Sequence, residues 1–336
     1  MKALTPLETA VGPVAILGAG SMGLQHLKAL GQLHGTRCLV IPARRQRARE
    51  LTGQGVCAIE NLEEALKEGV THCIVATDTS RHAADAISAL EAGFEVLVEK
   101  PLASNSLEAL KIYQVAEQTG KKVFVGCLLR FSESLGVFRQ WLSKAGQIHR
   151  VHVECQSYLP DWRPLRPYQD SYSARKEEGG VLRDLIHEID YAGWIFGWPR
   201  AVQARLSNLG RLGIDAEETA DLFWTTPEKA TVSIRLDYLT RSHRRRMQVS
   251  GERGSLTWEA RAGTVTFEPA AGATEFFESS QKKEEMLLAQ LNRFLASDQE
   301  KDPRLATCEE WVKALAICDA ARRSSETKSQ EEVLYP

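Results

Sequence analysis

The chain has 336 residues, a formal net charge of -2 and 43% hydrophobic residues, and a chain of this length typically forms two domains. The near-neutral balance argues against nucleic acid or a membrane surface as a partner. Apolar runs such as 73–76 are far shorter than the roughly 20 residues of a membrane span, and residues 1–11 lack a signal-peptide pattern. The seven cysteines are scattered without a CxxC pair, so we expect a reduced cytoplasmic protein without a metal site.

The first third of the sequence alternates short apolar runs with helical patterns. Strands are predicted at 14–17, 38–41, 73–76, 95–98 and 123–126. One helix is predicted to follow the first strand and to end near residue 30, and three more are predicted at 62–67, 83–92 and 106–119. This alternation with short connections predicts a parallel sheet with right-handed crossovers. We therefore predict a first, α/β domain over residues 1–127.

The pattern changes near residue 130. Strands are predicted at 148–156, 202–206, 220–225, 230–238, 246–250, 254–259 and 263–267, and helices at 137–144, 181–196, 283–297 and 308–324. Glycine-rich punctuation between the later strands favours an antiparallel meander. Residues 128–336 are thus predicted to form an α+β domain with a large, mostly antiparallel open sheet.

A glycine-rich loop follows the first predicted strand and opens a helix. Gly18, Gly20 and Gly23 have the spacing that permits a tight turn, close approach of a pyrophosphate, and packing of the helix on the strand. Ser21 and Met22 lie in the same loop, at the helix N-terminus, where the dipole attracts phosphate. This context predicts a Rossmann-type dinucleotide site, and a glycine-rich loop without a ligand is the alternative.

The end of the second predicted strand bears on which dinucleotide binds. NAD enzymes usually carry an acidic residue there, but no Asp or Glu occurs between residues 9 and 49. Arg44 and Arg45 stand beyond the strand, where a guanidinium suits a 2′-phosphate. We predict a preference for NADP(H), with NAD(H) also possible. The alternative is a solvated basic helix face that also includes Arg47 and Arg49.

A lysine follows the strand predicted at 95–98. Strand C-termini in an open parallel sheet face the ligand crevice, so Lys100 in Glu99-Lys100-Pro101 is expected near a nicotinamide ring. A Lys-Pro pair alone is a weak signal, because it is common in proteins of every class.

Lys100 belongs to a longer series of motifs. In chain order these are Gly18-x-Gly20-x-x-Gly23, Thr77-Asp78-Thr79-Ser80-Arg81-His82, residues 92–102, Leu129-Arg130-Phe131, Gly179-Gly180 and His187-x-x-Asp190. The series resembles the glucose–fructose oxidoreductase / inositol dehydrogenase (Gfo/Idh/MocA) family over essentially the whole chain. The resemblance implies a homodimer or homotetramer formed through the C-terminal sheet, and sugar or cyclitol alcohols as substrates. It also implies that Thr77, His82, Glu99 and Lys100 contact the cofactor and that Arg130 contacts the substrate.

The helix predicted after Gly179-Gly180 carries a polar stripe. Asp184, His187, Glu188 and Tyr191 share one face, which is expected to look into water or into a site. The family usually has its Asp four residues before the His, whereas Asp184 stands three before His187. The role of Asp184 is therefore open, and Glu188 is an alternative partner for Lys100. A purely structural role is the alternative for His187.

The resemblance implies an NAD(P)-dependent oxidoreductase. A hydride moves between nicotinamide and a secondary alcohol of a sugar or sugar derivative, with His187 as general base and Lys100 stabilising charge on the same oxygen; Asp184 completes the candidate catalytic set. Two alternatives stay open. One is a non-catalytic NADP sensor or regulator. The other is a sugar epimerase or hydrolase that uses transient oxidation with tightly held cofactor.

The segment between the first C-domain strand and this helix is rich in proline, aromatics and arginine. Trp162, Arg163, Tyr168 and Tyr172 are expected to border the substrate together with Lys100, Arg130, Asp184 and His187. The composition favours an acidic or nucleotide-linked sugar, and a subunit-contact loop is the alternative. The basic run at 241–246 is interpreted as solvated charge on an edge strand.

Overall fold

A computed structural model describes residues 12–33, 36–296 and 301–335, so the expectation for residues 1–11 lies outside the described residues. The chain folds as two compact units: Met1–Phe131 with Lys282–Val312, and Ser132–Gln281 with Lys313–Pro336. The sequence predicts a second domain that runs unbroken from 128 to 336. The structure instead assigns 282–312 to the first unit, for a reason that lies in its core.

The first unit is built on a six-stranded sheet in the order β14-β5-β4-β3-β1-β2. Its strands are β1 (Val14–Leu17), β2 (Cys38–Ile41), β3 (His72–Val75), β4 (Glu95–Val98), β5 (Val123–Val125) and β14 (Ala306–Thr307). The first five are parallel, whereas β14, which the sequence analysis missed, is antiparallel to β5. Because β1 lies between β2 and β3, the strand order reverses there, and ligands of such sheets bind outside the carboxyl ends at that point.

Seven helices have their N-termini in the described part of the first unit. They are α1 (Ser21–Leu30), α2 (Arg45–Gly53), α3 (Leu62–Lys67), α4 (Thr79–Glu91), α5 (Ser106–Thr119), α9 (Lys283–Phe294) and α10 (Cys308–Thr327), the last of which continues into the second unit. On α9, Leu287, Leu291 and Phe294 are buried with Ile16 and Leu97 of the sheet in one core. Burying a side chain of this size contributes about 1.5–3 kcal/mol, which explains why 282–312 belongs with the first unit.

The second unit contains a nine-stranded sheet in the order β13-β12-β11-β10-β6-β9-β8-β7-β15. Its strands are β6 (Ile148–Tyr158), β7 (Ala201–Ser207), β8 (Thr219–Thr225), β9 (Thr231–Asp237), β10 (Leu239–Gly251), β11 (Gly254–Glu259), β12 (Thr264–Pro269), β13 (Glu275–Glu278) and β15 (Glu331–Glu332). All neighbours are antiparallel except β6 and β9. The predicted large, mostly antiparallel sheet is confirmed, although the parallel pair means that it is not a simple meander.

Three helices of this unit precede β7: α6 (Glu133–Trp141), α7 (Val181–Asp184) and α8 (His187–Phe196). The sequence predicts one helix over 181–196, and this is wrong. Leu185 has φ -98° and ψ 31°, outside the helical region, so the helix is interrupted between Asp184 and His187. Within the described ranges, no helix has the length and apolar character needed to cross a bilayer.

The basic run at 241–246 lies on β10, which pairs with β6 on one side and β11 on the other. The expectation of an edge strand is therefore wrong. Residues 241–244 are nevertheless exposed, as expected for solvated charges. Arg246 stands opposite Glu259 of β11 and its Nε lies 3.1 Å from that carboxylate.

Candidate active site

The glycine-rich loop joins β1 to α1 and leaves no space for two side chains. Gly18 has φ +101°, and a Cβ there would lie 2.4 Å from the Ala76 carbonyl oxygen. A Cβ on Gly23 would lie 2.1 Å from the Gly18 carbonyl oxygen. Gly20 differs, because a Cβ there would meet nothing within 4 Å. The loop is thus packed on the protein side and open at the N-cap of α1, where a pyrophosphate fits.

The first residues of α1 lie at the open side of this loop. Ser21 is exposed and Met22 half-buried, and the Ser21 hydroxyl accepts a hydrogen bond from Gln25 at 3.3 Å. The first turn of α1 contains no acidic residue. Backbone N–H groups therefore meet no competing carboxylate on their own helix, as a phosphate site requires.

Two arginines follow β2. Arg44 is the N-cap of α2 and Arg45 its first residue, and both are exposed. Neither side chain has a polar partner among the described residues, whereas Arg47 pairs with Glu50 at 2.8 Å. Arg44 and Arg45 thus present free guanidinium groups beyond the strand that carries the ribose-binding residue in Rossmann domains.

The turn after β4 holds a largely buried carboxylate beside the lysine. His26 Nε2 and Glu99 Oε1 are 2.7 Å apart, and the Lys100 backbone N–H donates to Glu99 Oε2 at 3.3 Å. Burial raises the pKa of Glu99, but the hydrogen bond from His26 and the charges of His26, Lys100 and His82 outweigh it, so the pKa lies below its ordinary value. The carboxylate is therefore held ionised. The bond between Lys100 and Pro101 is cis.

His26 is fully buried and was missed by the sequence analysis. It lies on the α1 face that also carries Gly23 and Leu30, spaced by three, four and seven residues, and this face packs on the sheet. A histidine on an apolar face, next to a glycine-rich loop, is the signal that could have identified it.

His82 occupies a different place from the one expected. Its Nδ1 lies 2.7 Å from the Pro101 carbonyl oxygen and its Nε2 lies 3.0 Å from the Thr77 carbonyl oxygen, and the side chain is buried. Both ring nitrogens are occupied, so the predicted cofactor contact by this ring is not supported. The Thr77 hydroxyl donates to Asp85 at 2.7 Å and its carbonyl oxygen faces His82, which leaves the backbone N–H as the polar group of Thr77 without a partner among the described residues.

Arg130 lies in a buried ion pair. It is 1% exposed, and its Nη1 donates to Glu310 at 2.8 Å within the first unit. The substrate contact expected of Arg130 stays a prediction.

In the second unit, four of the predicted residues lie near one another and near Tyr238, which was not predicted. These four are Asp184, Tyr172, Trp162 and Arg163. Asp184 is buried, and its Oδ2 accepts a hydrogen bond from the Tyr238 hydroxyl at 2.5 Å. The charge of Asp184 is the main reason that the pKa of Tyr172 is raised. Trp162 packs edge-on against Tyr238 with centroids 5.4 Å apart, and the Arg163 guanidinium lies 5.9 Å from the Tyr172 ring centre.

We call these five residues the tyrosine–aspartate cluster. Tyr238 follows β9 and is fully buried, and burial together with Asp184 raises its pKa well above the ordinary value. The sequence analysis missed it because an aromatic residue at a strand end carries no specific signal. Tyr168 is not part of the cluster, since its hydroxyl donates to the Leu212 carbonyl at 2.9 Å. His187 is the first residue of α8 and is half-buried.

Steric constraints explain why residues 179 and 180 are both glycine. A Cβ on Gly179 would lie 2.2 Å from the Tyr172 carbonyl oxygen, and Gly180 has φ +90° with the Glu217 carboxylate 2.2 Å from its would-be Cβ. Glu217 is held there by Arg322 at 3.0 Å. Side chains at these two positions would clash with Tyr172 and Glu217. The two glycines therefore allow close packing at the start of α7, which carries Asp184.

Glu188 is not available to Lys100 in the way the sequence left open. It is fully buried, and its Oε1 accepts from Arg245 Nε at 2.7 Å and from the Tyr191 hydroxyl at 3.2 Å. The stripe is expected to look into water or into a site; Asp184, Glu188 and Tyr191 are buried, so the stripe does not face water. Arg245 of β10 supplies a buried counter-charge, and this allows the acidic side of α8 to face the interior.

These features define a class of protein. A parallel sheet with a glycine-rich loop at its strand-order reversal, a lysine after β4 and a second unit with a large antiparallel sheet are typical of nicotinamide-dinucleotide oxidoreductases. The chain belongs to the Gfo/Idh/MocA oxidoreductase family. Residues 13–127 match the model of the oxidoreductase family with an NAD-binding Rossmann fold, and residues 142–257 match the model of the GFO/IDH/MocA C-terminal domain. The resemblance seen in the motifs is confirmed.

Individual relatives agree with this assignment. The chain is 27% identical to the uncharacterized oxidoreductase sll0816 of Synechocystis sp. over 268 residues, which are 72% of this chain and 70% of that protein. It is 36% identical to inositol 2-dehydrogenase 1 of Paenarthrobacter aurescens over 148 residues, or 41% and 44% of the two chains. The WlbA dehydrogenase from Bordetella pertussis, solved with NADH and UDP-GlcNAcA, has the same fold, with a TM-score of 0.81, 18% identity, and coverage of 98% and 100%.

Proposed function

We propose that the protein is an NADP(H)-preferring dehydrogenase that interconverts a secondary alcohol and a ketone on an acidic or nucleotide-linked sugar in the cytoplasm. The observation that carries the proposal is the pairing of two features in the first unit. Arg44 and Arg45 are exposed after β2 and have no polar partner in the described part of the chain, in a segment without carboxylates from 9 to 49, and Lys100 follows β4 at the ligand edge.

The residues that would hold the cofactor lie on four successive strand ends. Gly20 offers open backbone to the pyrophosphate, Arg44 and Arg45 offer guanidinium groups to a 2′-phosphate, and Thr77 and Lys100 lie on the nicotinamide side. Glu99 acts on that side through its charge, which His26 maintains. When bound, the nicotinamide supplies the acceptor or donor of the hydride.

This chain's own residues would handle the proton and the charge. In the oxidation direction, a ring nitrogen of His187 takes the proton of the substrate hydroxyl as the C–H hydride leaves, and the ketone forms with no other co-reactant. Lys100 donates a hydrogen bond to the same oxygen and stabilises its negative charge. Asp184, which accepts a hydrogen bond from Tyr238, orients the cluster.

The tyrosine–aspartate cluster supports a charged sugar as the substrate. Trp162 and Tyr172 offer aromatic faces, and Arg163 is exposed, as recognition of a carboxylate or phosphate requires. The WlbA dehydrogenase of Bordetella pertussis, which shares the fold, is known with UDP-GlcNAcA. A sugar acid linked to a nucleotide combines the two chemistries that the loop composition favours.

The cofactor part is tested by dissociation constants of NADP and NAD for the wild type, Arg44→Ala and Arg45→Ala. We expect the wild type to favour NADP, and each variant to bind it about tenfold more weakly, since a charge-assisted contact contributes about 1.5–3 kcal/mol. Binding of NAD should change little. Arg49→Ala, an exposed residue on the same helix, is the control, and tighter NAD binding by the wild type would contradict the proposal.

The catalytic part is tested with NADP-linked turnover of a verified sugar substrate. Lys100→Ala and His187→Ala should each lower kcat by about a hundredfold or more, while Lys111→Ala, exposed on α5, leaves it unchanged. Undiminished turnover in both site variants would reject these roles.

The assembly part concerns the nine-stranded sheet. Its exposed side chains include cross-strand ion pairs such as Arg235 with Asp221 at 3.0 Å, and the large apolar Phe223, which is 47% exposed. A second copy packed on the sheet would cover them, giving the homodimer or homotetramer. Sedimentation analysis of the wild type and Phe223→Glu tests this, and a monomeric wild type at micromolar concentration would contradict it.

A further inference from the structure

We propose that His82 is a doubly protonated brace that positions Lys100, rather than a residue that contacts the cofactor. The inference rests on the proposed function in one respect, because Lys100 is taken as the group that meets the substrate oxygen. Its geometric part concerns only the first unit and stands on the contacts of the imidazole ring.

Each ring nitrogen of His82 faces a backbone carbonyl oxygen. Nδ1 is 2.7 Å from the Pro101 oxygen and Nε2 is 3.0 Å from the Thr77 oxygen, and the side chain is 2% exposed. A carbonyl oxygen only accepts hydrogen bonds, and a neutral imidazole has one N–H and one lone pair. Only the imidazolium form donates to both oxygens, so the two short distances together indicate a cation.

The charges around the ring are compatible with a cation. The Glu99 carboxylate is held ionised, and the charge of His82 contributes to that. On α4 itself, Asp85 accepts from the Thr77 hydroxyl at 2.7 Å and from Arg81 at 2.9 Å. The positive N-terminal end of α4 destabilises a cation at His82. The two carbonyl oxygens and the Glu99 carboxylate are therefore the groups that stabilise it.

The two carbonyls belong to different strand ends. Thr77 follows β3, and Pro101 follows Lys100 after β4. The imidazolium therefore ties the loop after β3 to the backbone beside Lys100. If the ring loses one proton, one of the two contacts becomes a repulsion between lone pairs and must open. The turn that carries Lys100 is then held at one end only.

The first test is independent of turnover. In the full-length protein with isotope-labelled histidine, the His82 ring nitrogens are assigned by their absence in His82→Gln and followed from about pH 5 to about pH 9. We expect a form of the ring in which both nitrogens are protonated. A ring that carries a single proton throughout this range would overturn the inference, whatever the enzyme's activity.

The second test separates positioning from binding. His82→Gln should lower kcat by about tenfold or more, as misplacement of a catalytic group does, with the KM for NADP nearly unchanged. It should also change the pH profile of kcat, because the turn that carries Lys100 is then no longer tied to the loop after β3 by the imidazole.

The control is His149→Gln, at an exposed position on β6, which should alter neither kcat nor the profile. A raised KM for NADP with unchanged kcat in His82→Gln would indicate a cofactor contact and overturn the brace. If Lys100→Ala keeps full turnover while the ring is doubly protonated, the proposed function fails and the geometric inference survives.

Discussion

Buried carboxylates occur in both units, but the groups that bind them differ in whether they can change charge. In the first unit, Glu99 is bound by His26 at 2.7 Å, and histidine is the side chain that ordinarily changes charge between pH 5 and 8. In the second unit, Glu188 is bound by the guanidinium of Arg245 at 2.7 Å. Asp184 is bound by Tyr238 at 2.5 Å, and the pKa of that phenol is raised.

This difference separates two tasks. The partners in the second unit keep their protons through the neutral range, so the cluster around Asp184 and the pair around Glu188 hold a fixed charge pattern. In the first unit the pKa of Glu99 itself depends on its contact with His26, so we expect the charge beside Lys100 to respond to pH through this pair. We expect substitutions in the second unit to act on stability and orientation, and those in the first unit to act on pH dependence.

The largest effect is expected for Glu188→Gln. The change leaves Arg245 as a buried cation without its counter-charge, and breaking a buried ion pair typically costs about 3–5 kcal/mol. The free energy of unfolding, measured with urea, should fall by that amount. The control is Asp221→Asn, whose partner Arg235 is 60% exposed, so a loss below about 1 kcal/mol is expected. Equal losses in the two variants would remove the distinction between a buried and an exposed pair.

The second largest effect is expected for Asp184→Asn. The charge of Asp184 is the first cause of the raised pKa of Tyr172, so the phenol of the variant should ionise at lower pH. For a raised pKa, the stabilisation is present below the unfolded pKa and is lost as pH rises through the folded value. Tyrosinate absorbance in alkaline titration measures the shift, and a loss of about 1–2 kcal/mol in stability is expected.

The control for that titration is Asp161→Asn, in the exposed part of the same loop. It should leave the tyrosinate titration unchanged. An unaltered titration in Asp184→Asn would show that burial alone protects the two phenols, and the cluster would then be held by packing rather than by charge.

The fold was largely predictable because its signals are local. The strands at 14–17, 38–41, 95–98 and 254–259 have the predicted bounds, since the first three are short, mainly apolar runs and the last alternates buried Leu256 and Trp258 with polar residues. The placement of 282–312 in the first unit was not predictable. It depends on α9 packing with β1 and β4, and periodicity shows that a helix has an apolar face without showing what covers it.

The site divides in the same way. Gly18, Gly23 and Lys100 lie in contiguous motifs whose steric or topological requirement can be derived from spacing. The partners of the carboxylates are remote in sequence: Tyr238 and Arg245 reach α7 and α8 from the strands β9 and β10. No spacing rule links them, so their roles emerge only when the strands are in register.

The third prediction concerns His26→Leu. The pKa of Glu99 is lowered, so its stabilisation is present above the unfolded pKa and is lost as pH falls through the folded value. Without His26, its hydrogen bond and charge no longer offset burial, so the lowering of the Glu99 pKa is weakened and the pH dependence of stability becomes flatter. We expect a loss of about 1 kcal/mol at neutral pH, measured by thermal unfolding from about pH 4 to about pH 8.

His149→Leu, at an exposed position on β6, is the matched control and should keep the wild-type pH dependence. A parallel shift of the whole curve in His26→Leu, with no change of slope, would mean that His26 contributes packing only. The first unit would then be as insensitive to pH as the second.

The smallest effect is expected for Trp162→Phe. The indole Nε1 donates to the Ser157 hydroxyl at 3.1 Å, and its ring packs edge-on against Tyr238. Phenylalanine removes the hydrogen bond and keeps an aromatic ring, so stability should fall by only about 0.5–1 kcal/mol, whereas Trp162→Ala also loses the ring contact, which contributes about as much again. Leu165→Ala, at a position 97% exposed, should change nothing.

The KM for the sugar substrate distinguishes the ring from its hydrogen bond. If the aromatic face of Trp162 contacts the substrate, KM should rise about tenfold in Trp162→Ala, as loss of a stacked ring does, and clearly less in Trp162→Phe. Equal KM values in the two variants would mean that the hydrogen bond to Ser157 sets the loop and that the ring is incidental. The second unit would then orient its substrate through polar contacts alone, with Asp184 and its two phenols as their fixed centre.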